Sequence, residues 1–175
     1  PAMCEFVSLR AEAEMFEGLP LITLQGSPLY GWNLVIKRVL DVVGASAALV
    51  VFSPVLCAIA ALVKLTSPGP VFFRQLRMGL DGQAFEMLKF RSMKLDAESE
   101  TGPVWTQPND DRRTPIGAFL RRTSLDELPQ FWNVLRGEMS IVGPRPERPE
   151  FIARFRETLP QYMLRHKMKA GITGW

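Results

Sequence analysis

An uncharged apolar run from Val42 to Val63 constrains this chain more than any other feature. Lys37, Arg38 and Asp41 bound it on one side and Lys64 on the other. It spans about 20 residues, the length a helix needs to cross about 30 Å of hydrocarbon. Ser53-Pro54 interrupts it near the middle. Proline removes a backbone donor and its ring clashes with the carbonyl four residues back. It also pushes the preceding residue away from helical angles. The run is therefore expected to be two half-helices broken at Ser53 and Pro54. Each half is about 15–18 Å long at 1.5 Å per residue, enough to reach mid-bilayer. A single span is basic mainly on one side. This run is basic at both ends, with Lys37 and Arg38 before it and Lys64, Arg74 and Arg77 after it. A helix that enters, breaks and returns puts both ends on one face. A kinked span is the alternative, because prolines are tolerated in membrane helices. A soluble core helix fits poorly, because the run is apolar all round rather than on one stripe.

The 175 residues suffice for one domain with a real core, and 47% of them are hydrophobic. The net charge of +3 suits anionic lipid heads or phosphorylated substrates. Without a concentrated basic tract it argues against nucleic acid. The two cysteines, Cys4 and Cys57, give neither a disulfide framework nor metal-site spacing. No signal peptide is recognisable, since the apolar run starts some forty residues in. Both ends read as the interior of a longer polypeptide, so residues 67–175 are expected to be a domain cut at its C-terminus. Residues 1–34 are expected to be a linker or the tail of an upstream domain, and 35–66 the membrane element.

Along the chain, residues 1–30 read as irregular, with one short strand in "LPLITLQGSP". "PVFFRQLRMG" and "QAFEMLKFRSMK" read as strands joined by Asp81-Gly82, a strong hairpin signal. Residues 95–113 are polar and turn-rich and are expected to be a loop. Two short helices are expected at about 114–122 and 124–136. A proline-stiffened loop, "IVGPRPERP", follows. A last helix is expected over 149–169, with apolar Phe151, Ile152, Phe155, Leu159, Tyr162 and Met163 and five basic residues. It either lies on an anionic membrane surface or packs on its own core. The fold class expected is α/β, mostly α, with a membrane-associated helix-break-helix, a small irregular sheet and amphipathic surface helices.

Three clusters could carry chemistry. In "RRTSLDELPQ" the adjacent acids Asp126 and Glu127 follow Arg121-Arg122. Ser124 and Glu127 fit a capping box. The same acids could instead serve as a carboxylate nucleophile or an Mg²⁺ ligand, since Mg²⁺ takes one or two carboxylates plus phosphate oxygens. In "GPRPERP" two prolines flank Arg145. This is either an ordinary turn or a guanidinium pre-oriented for phosphate. In "LKFRSMK", Lys89 and Arg91 would share one side of a strand, as a solvated face or as a positive wall. His166 is the sole histidine, so a general base would more readily be a carboxylate.

Taken together, "KRVLDVVGA", "SPGPVFFRQLRMG", "LKFRSMK", "TPIGAFLRRTSLDELPQFWNVLRGEMSIVGPRPERPEF" and "GITGW" resemble the bacterial sugar transferase family, the monotopic polyprenyl-phosphate phosphoglycosyl transferases. The resemblance covers roughly residues 35–175 and implies that 67–175 is a cytoplasmic catalytic domain. It implies transfer of a sugar 1-phosphate from a UDP-sugar to polyprenyl phosphate, with release of UMP, as the first membrane step of surface-polysaccharide assembly. It implies Asp126 as nucleophile and Mg²⁺ ligand, with Glu127 as its partner. Lys89, Arg121 and Arg145 match phosphate-binding positions, and Arg91 and Arg112 are further candidates. It also implies a re-entrant helix broken at Ser53-Pro54, inner-membrane lipids as surroundings, and a location on the cytoplasmic face of the bacterial inner membrane. Longer relatives make a homodimer plausible. Two other classes are compatible with the residues: a catalytically silent membrane-anchored scaffold for glycan assembly, and a single-span protein with a basic lipid-binding domain.

Overall fold

The computed structural model describes residues 8–16, 19–26, 31–94, 112–152 and 165–174. They divide into two compact units, Pro1–Leu40 and Asp41–Trp175.

In the first unit, β1 (Ser8–Phe16) pairs antiparallel with β2 (Leu19–Gly26), with Phe16 opposite Leu19. The expectation of a single short strand is corrected here. "SLRAEAEMF" alternates apolar Leu9, Ala11, Ala13 and Met15 with charged Arg10, Glu12 and Glu14, which is strand periodicity.

Helix α1 (Trp32–Val51) leads into α2 (Ser53–Thr66), and the two are bent by 61°. The corner is where the proline places it. Pro54 has no N–H to give the carbonyl of Val50, four residues back. The Ser53 hydroxyl donates to that carbonyl instead, at 2.7 Å. Among the described residues no single helix is long and apolar enough to cross a membrane, although the bent pair meets the requirement by length and composition. The pair is seated along a narrow stripe: only Asp41 and Ala45 of α1, and Ile59 and Val63 of α2, are buried. Val43, Val50, Val51, Leu62 and Leu65 are exposed.

Beyond the helices, β3 (Phe72–Met78) and β4 (Ala84–Phe90) form an antiparallel hairpin. A 3-10 turn, Leu80–Gly82, joins them. Asp81 and Gly82 both take positive φ there, at 51° and 73°, as the hairpin signal requires. Residues 95–111 of the expected loop lie outside the described residues. Arg113 bridges to Met93.

Helix α3 (Pro115–Arg122) starts at a Thr114 cap, whose hydroxyl accepts from the Gly117 amide at 3.0 Å. Gly117 is required: a Cβ there would lie 2.0 Å from the Ser92 carbonyl oxygen. The single helix expected over 124–136 is divided. A 3-10 turn (Leu125–Glu127) comes first, then Leu128-Pro129, then α4 (Gln130–Arg136). Pro129 cannot sit inside a continuing helix, so it occupies the cap of a new one.

The loop expected from Ile141 opens instead as a strand. β5 (Ser140–Val142) pairs in parallel with β6 (Gly171–Thr173). Their backbones approach so closely that a Cβ on Gly171 would lie 2.1 Å from the Gly143 nitrogen. The last helix, expected over 149–169, begins where expected and departs from the expectation at its far described margin. Residues 149–152 are helical, residues 165–167 form a 3-10 turn and 168–170 are irregular. Residues 153–164, including the face that carries Phe155, Leu159, Tyr162 and Met163, lie outside the described residues. Among the described residues the fold is thus mostly helical, and the strands form three two-stranded pairs rather than one sheet.

Two clusters make the core. Ala45, Phe85, Met87, Val134, Met139 and Ala170 form one. Ile59, Val63, Phe90 and Leu120 form the other. β4 supplies both, so it fixes the helix pair and α4 to the same ribbon. Asn133, fully buried, locks this arrangement. Its Oδ1 accepts from the Leu88 amide at 3.0 Å, and its Nδ2 donates to the Glu86 carbonyl at 2.7 Å.

Candidate active site

The bracket made by Asn133 places Lys89, on β4, against the acid pair that precedes α4. Glu127 sits at the centre. Its Oε1 accepts from Lys89 Nζ at 2.8 Å and from Arg145 at 3.0 Å. Lys89 and Glu127 are four-fifths covered, whereas the Arg145 side chain is 69% exposed. The capping-box reading of this segment is overturned. Ser124 takes a left-handed φ of 57°, its side chain caps nothing, and Glu127 turns to the cations instead.

Asp126 lies beside Glu127 but is only 6% exposed. The two acids are pushed in opposite directions. Burial raises the Asp126 pKa, and the neighbouring Glu127 adds to the rise; Lys89, Arg121 and a backbone N–H oppose it without cancelling it. Burial also acts to raise Glu127, but Lys89 and Arg145, with a hydrogen bond from Gln130, outweigh it, so its pKa is lowered. Glu127 is the fixed anion of the pair, and Asp126 is the more basic carboxylate.

Arg145 is held by its backbone. Arg77 on β3 donates to the Pro146 carbonyl at 3.1 Å. Arg165 donates to the Arg145 carbonyl at 3.1 Å. The Gly171 amide donates to the Pro144 carbonyl at 2.9 Å. The guanidinium therefore projects from a loop braced on three sides. Arg77, Met87, Lys89, Glu127, Gln130, Arg145, Pro146, Gly171 and Ile172 line an open cleft of about 230 Å³. Asp126, which is buried, is not among the residues that line it.

Lys89, Arg121, Asp126, Glu127 and Arg145 are thus brought together from four elements. Arg91 is not among them. β4 ends at Phe90, so strand alternation no longer governs Arg91. It is buried and donates to the carbonyls of Ser67 and Pro68 at 2.8 Å each and to the Ser67 hydroxyl at 2.6 Å. It braces the exit from α2, where carbonyls at a helix C-terminus favour a cation. Arg112 accepts from the Lys94 amide through its carbonyl, beside the bridge of Met93 and Arg113. Two cleft residues escaped the sequence reading. Gln130 follows Glu127 by three positions, a spacing that puts both on one helical face. Arg77 shares a strand face with Gln75, which holds it through two hydrogen bonds.

Among the described residues no group of three acidic, histidine or cysteine side chains could hold a metal ion. Glu127 already has two cationic partners. One protein carboxylate, Asp126, therefore remains, and it fits an ion that takes most of its ligands from water and substrate phosphates.

The family model for bacterial sugar transferases matches residues 32–175. The chain is 51% identical over all 175 residues to UDP-glucose:undecaprenyl-phosphate glucose-1-phosphate transferase of Escherichia coli K12. It is 48% identical over 174 residues to the protein of the same name in Klebsiella pneumoniae. Over 132 residues it is 48% identical to a Bacillus subtilis protein named putative undecaprenyl-phosphate N-acetylgalactosaminyl 1-phosphate transferase, covering 75% of this chain and 73% of that one. It covers 38% and 37% of the first two relatives' lengths. The acid pair, the two cations on Glu127 and the braced arginine loop all fall inside the matched region, and the chain belongs to the bacterial sugar transferase family.

Proposed function

We propose that this chain is the catalytic part of a phosphoglycosyl transferase that moves a sugar 1-phosphate from a UDP-sugar to polyprenyl phosphate. The single observation that carries this reading is the split character of the acid pair, with a more basic Asp126 beside a Glu127 clamped by Lys89 and Arg145. Asp126 attacks the sugar-bound phosphorus, the bond to UMP breaks, and a phosphosugar ester forms on its carboxylate. The polyprenyl phosphate oxygen then displaces Asp126 and takes the sugar phosphate. Glu127 is the poorer nucleophile, because its Oε1 already accepts two charged hydrogen bonds. It serves to orient Lys89 and Arg145 toward phosphate oxygens. Attack requires Asp126 to be uncovered as the donor enters. Bound Mg²⁺, held by Asp126 and the substrate phosphates, would offset the repulsion between carboxylate and diphosphate.

The bent helix pair with its exposed apolar sides supports a monotopic placement. A soluble donor and a lipid-borne acceptor could then meet at headgroup level, on the cytoplasmic face of the inner membrane. Glucose and N-acetylgalactosamine are the sugars in the relatives' names.

The test is UMP release from a panel of UDP-sugars, with and without polyprenyl phosphate, using membranes that carry the full-length chain. Asp126→Asn should lower turnover at least about a thousandfold, as loss of a nucleophile does. Digestion after quenching should locate the phosphosugar on Asp126. An adduct on Glu127, or none at all with activity intact, refutes the assignment.

A further inference from the structure

Asp41 is a carboxylate at the edge of the lipid-like run, yet it is only 4% exposed. A buried charge is costly unless hydrogen bonds compensate it. Its Oδ1 accepts from the Ile141 amide at 3.1 Å, and its Oδ2 accepts from the Ser140 hydroxyl at 2.9 Å. These partners are a hundred residues away in sequence. The next turn of α1 continues the seat. Ala45 is fully buried in the core cluster that Ile141 packs against, and a Cβ on Gly44 would lie 2.7 Å from Ile141 Cδ1. Asp41, Gly44 and Ala45 share one helix face. β5 then runs directly into the loop of Arg145, where the Gly143 amide donates to the Thr173 carbonyl at 3.1 Å and the Gly171 amide to Pro144. A continuous series of bonds therefore runs from α1 through β5 and β6 to the guanidinium on Glu127.

We infer that Asp41 is a positioning residue: it ties the apolar helix pair to the Arg145 loop, so that the seating of the helix sets where that guanidinium stands. The kinetic part of this inference rests on the transferase reading; the structural part does not.

The experiment uses the full-length chain in membranes, with UDP-glucose and polyprenyl phosphate. Asp41→Asn can keep both bonds. Its amide oxygen accepts from Ile141, and its NH₂ donates to the Ser140 oxygen while that hydroxyl turns to the Val142 carbonyl, 3.0 Å away. It should stay within about twofold of the parent, whereas Asp41→Ala should raise KM for UDP-glucose about tenfold, a change of about 1.4 kcal/mol. In a double-mutant cycle, adding Asp41→Ala to Arg145→Ala should cost almost nothing further, because both act through one group. Additive losses, or an Asn variant as damaged as the Ala variant, would overturn the proposal. Ser140→Ala, which removes one bond and leaves the Ile141 amide paired, should show the same non-additivity in smaller measure if Asp41→Ala does not fold. Hydrogen exchange at the Gly143 and Gly171 amides, which donate to Thr173 and Pro144, reads the tie without turnover: it should quicken in Asp41→Ala and in Ser140→Ala, and unchanged exchange in both defeats the proposal. If the parent releases no UMP from any UDP-sugar, the transferase reading fails and the exchange measurement alone decides the tie.

Discussion

At the scale of single residues, Asp126 carries a conflict between folding and reactivity. Its burial disfavours the charged form, and under the proposed mechanism the same burial keeps the carboxylate basic enough to attack. The sign of the consequence follows from linkage. Because the folded pKa is raised above the unfolded one, the ionised group costs stability at all pH values above the folded pKa. That cost vanishes as pH falls far enough to protonate the carboxyl. Asp126→Asn should therefore melt higher than the parent at pH 7 while losing turnover. The advantage should shrink as the melting pH is lowered through the raised pKa. Glu127 works in the opposite sense: its lowered pKa contributes stability above the ordinary glutamate range, and that contribution is lost as pH falls through the folded value. Thermal melts of Asp126→Asn and Glu127→Gln between pH 3 and 8 check these signs.

At the scale of elements, the bracket between α4 and β4 is the contact most exposed to a single change. Asn133→Ala leaves the Leu88 amide and the Glu86 carbonyl without that partner, and opens a cavity where the fully buried side chain stood. A loss of about 2–4 kcal/mol in denaturant unfolding is expected, from unpaired polar groups of about 1–3 kcal/mol each. Turnover should fall beyond what unfolding explains, because Lys89 is on the strand that moves. The elements also show what could be read from sequence and why. The break at Ser53-Pro54 and the turn at Asp81-Gly82 were legible, because each depends on a local backbone restriction. β5 and β6 were not, because a parallel pair of three-residue strands thirty residues apart leaves no periodic trace. The division at Pro129 and the alternation in β1 were present in the letters and only needed local rules. The site lies between these cases. Lys89 and Glu127 are 38 residues apart, and nothing in their spacing joins them. Their grouping became legible only through resemblance to a family. Arg91 shows the limit of strand alternation, which stops where the strand stops.

At the scale of the whole molecule, the helix pair decides how the chain meets its surroundings. From the corner to each flanking charge is about 11 residues, or about 16 Å. With a bend of 61°, such arms reach about 28 Å from end to end if they cross. If they return symmetrically to one face, they reach only about 8 Å deep. Length therefore permits either course, and the basic residues at both ends favour the return. Cysteines introduced at Asn33 and Thr66, in a chain whose own cysteines are replaced, should be labelled from the same side of sealed vesicles. Labelling from opposite sides would establish a crossing and remove the monotopic placement.

The closeness of Gly143 and Gly171 also imposes an order on synthesis. The strand that braces the arginine loop leaves the ribosome some thirty residues after the loop itself. Until Gly171 has emerged, a nascent chain can present its acid pair but has nothing to clamp the Pro144 carbonyl. The helix pair is made long before, so of the elements around the acid pair the arginine loop is braced late.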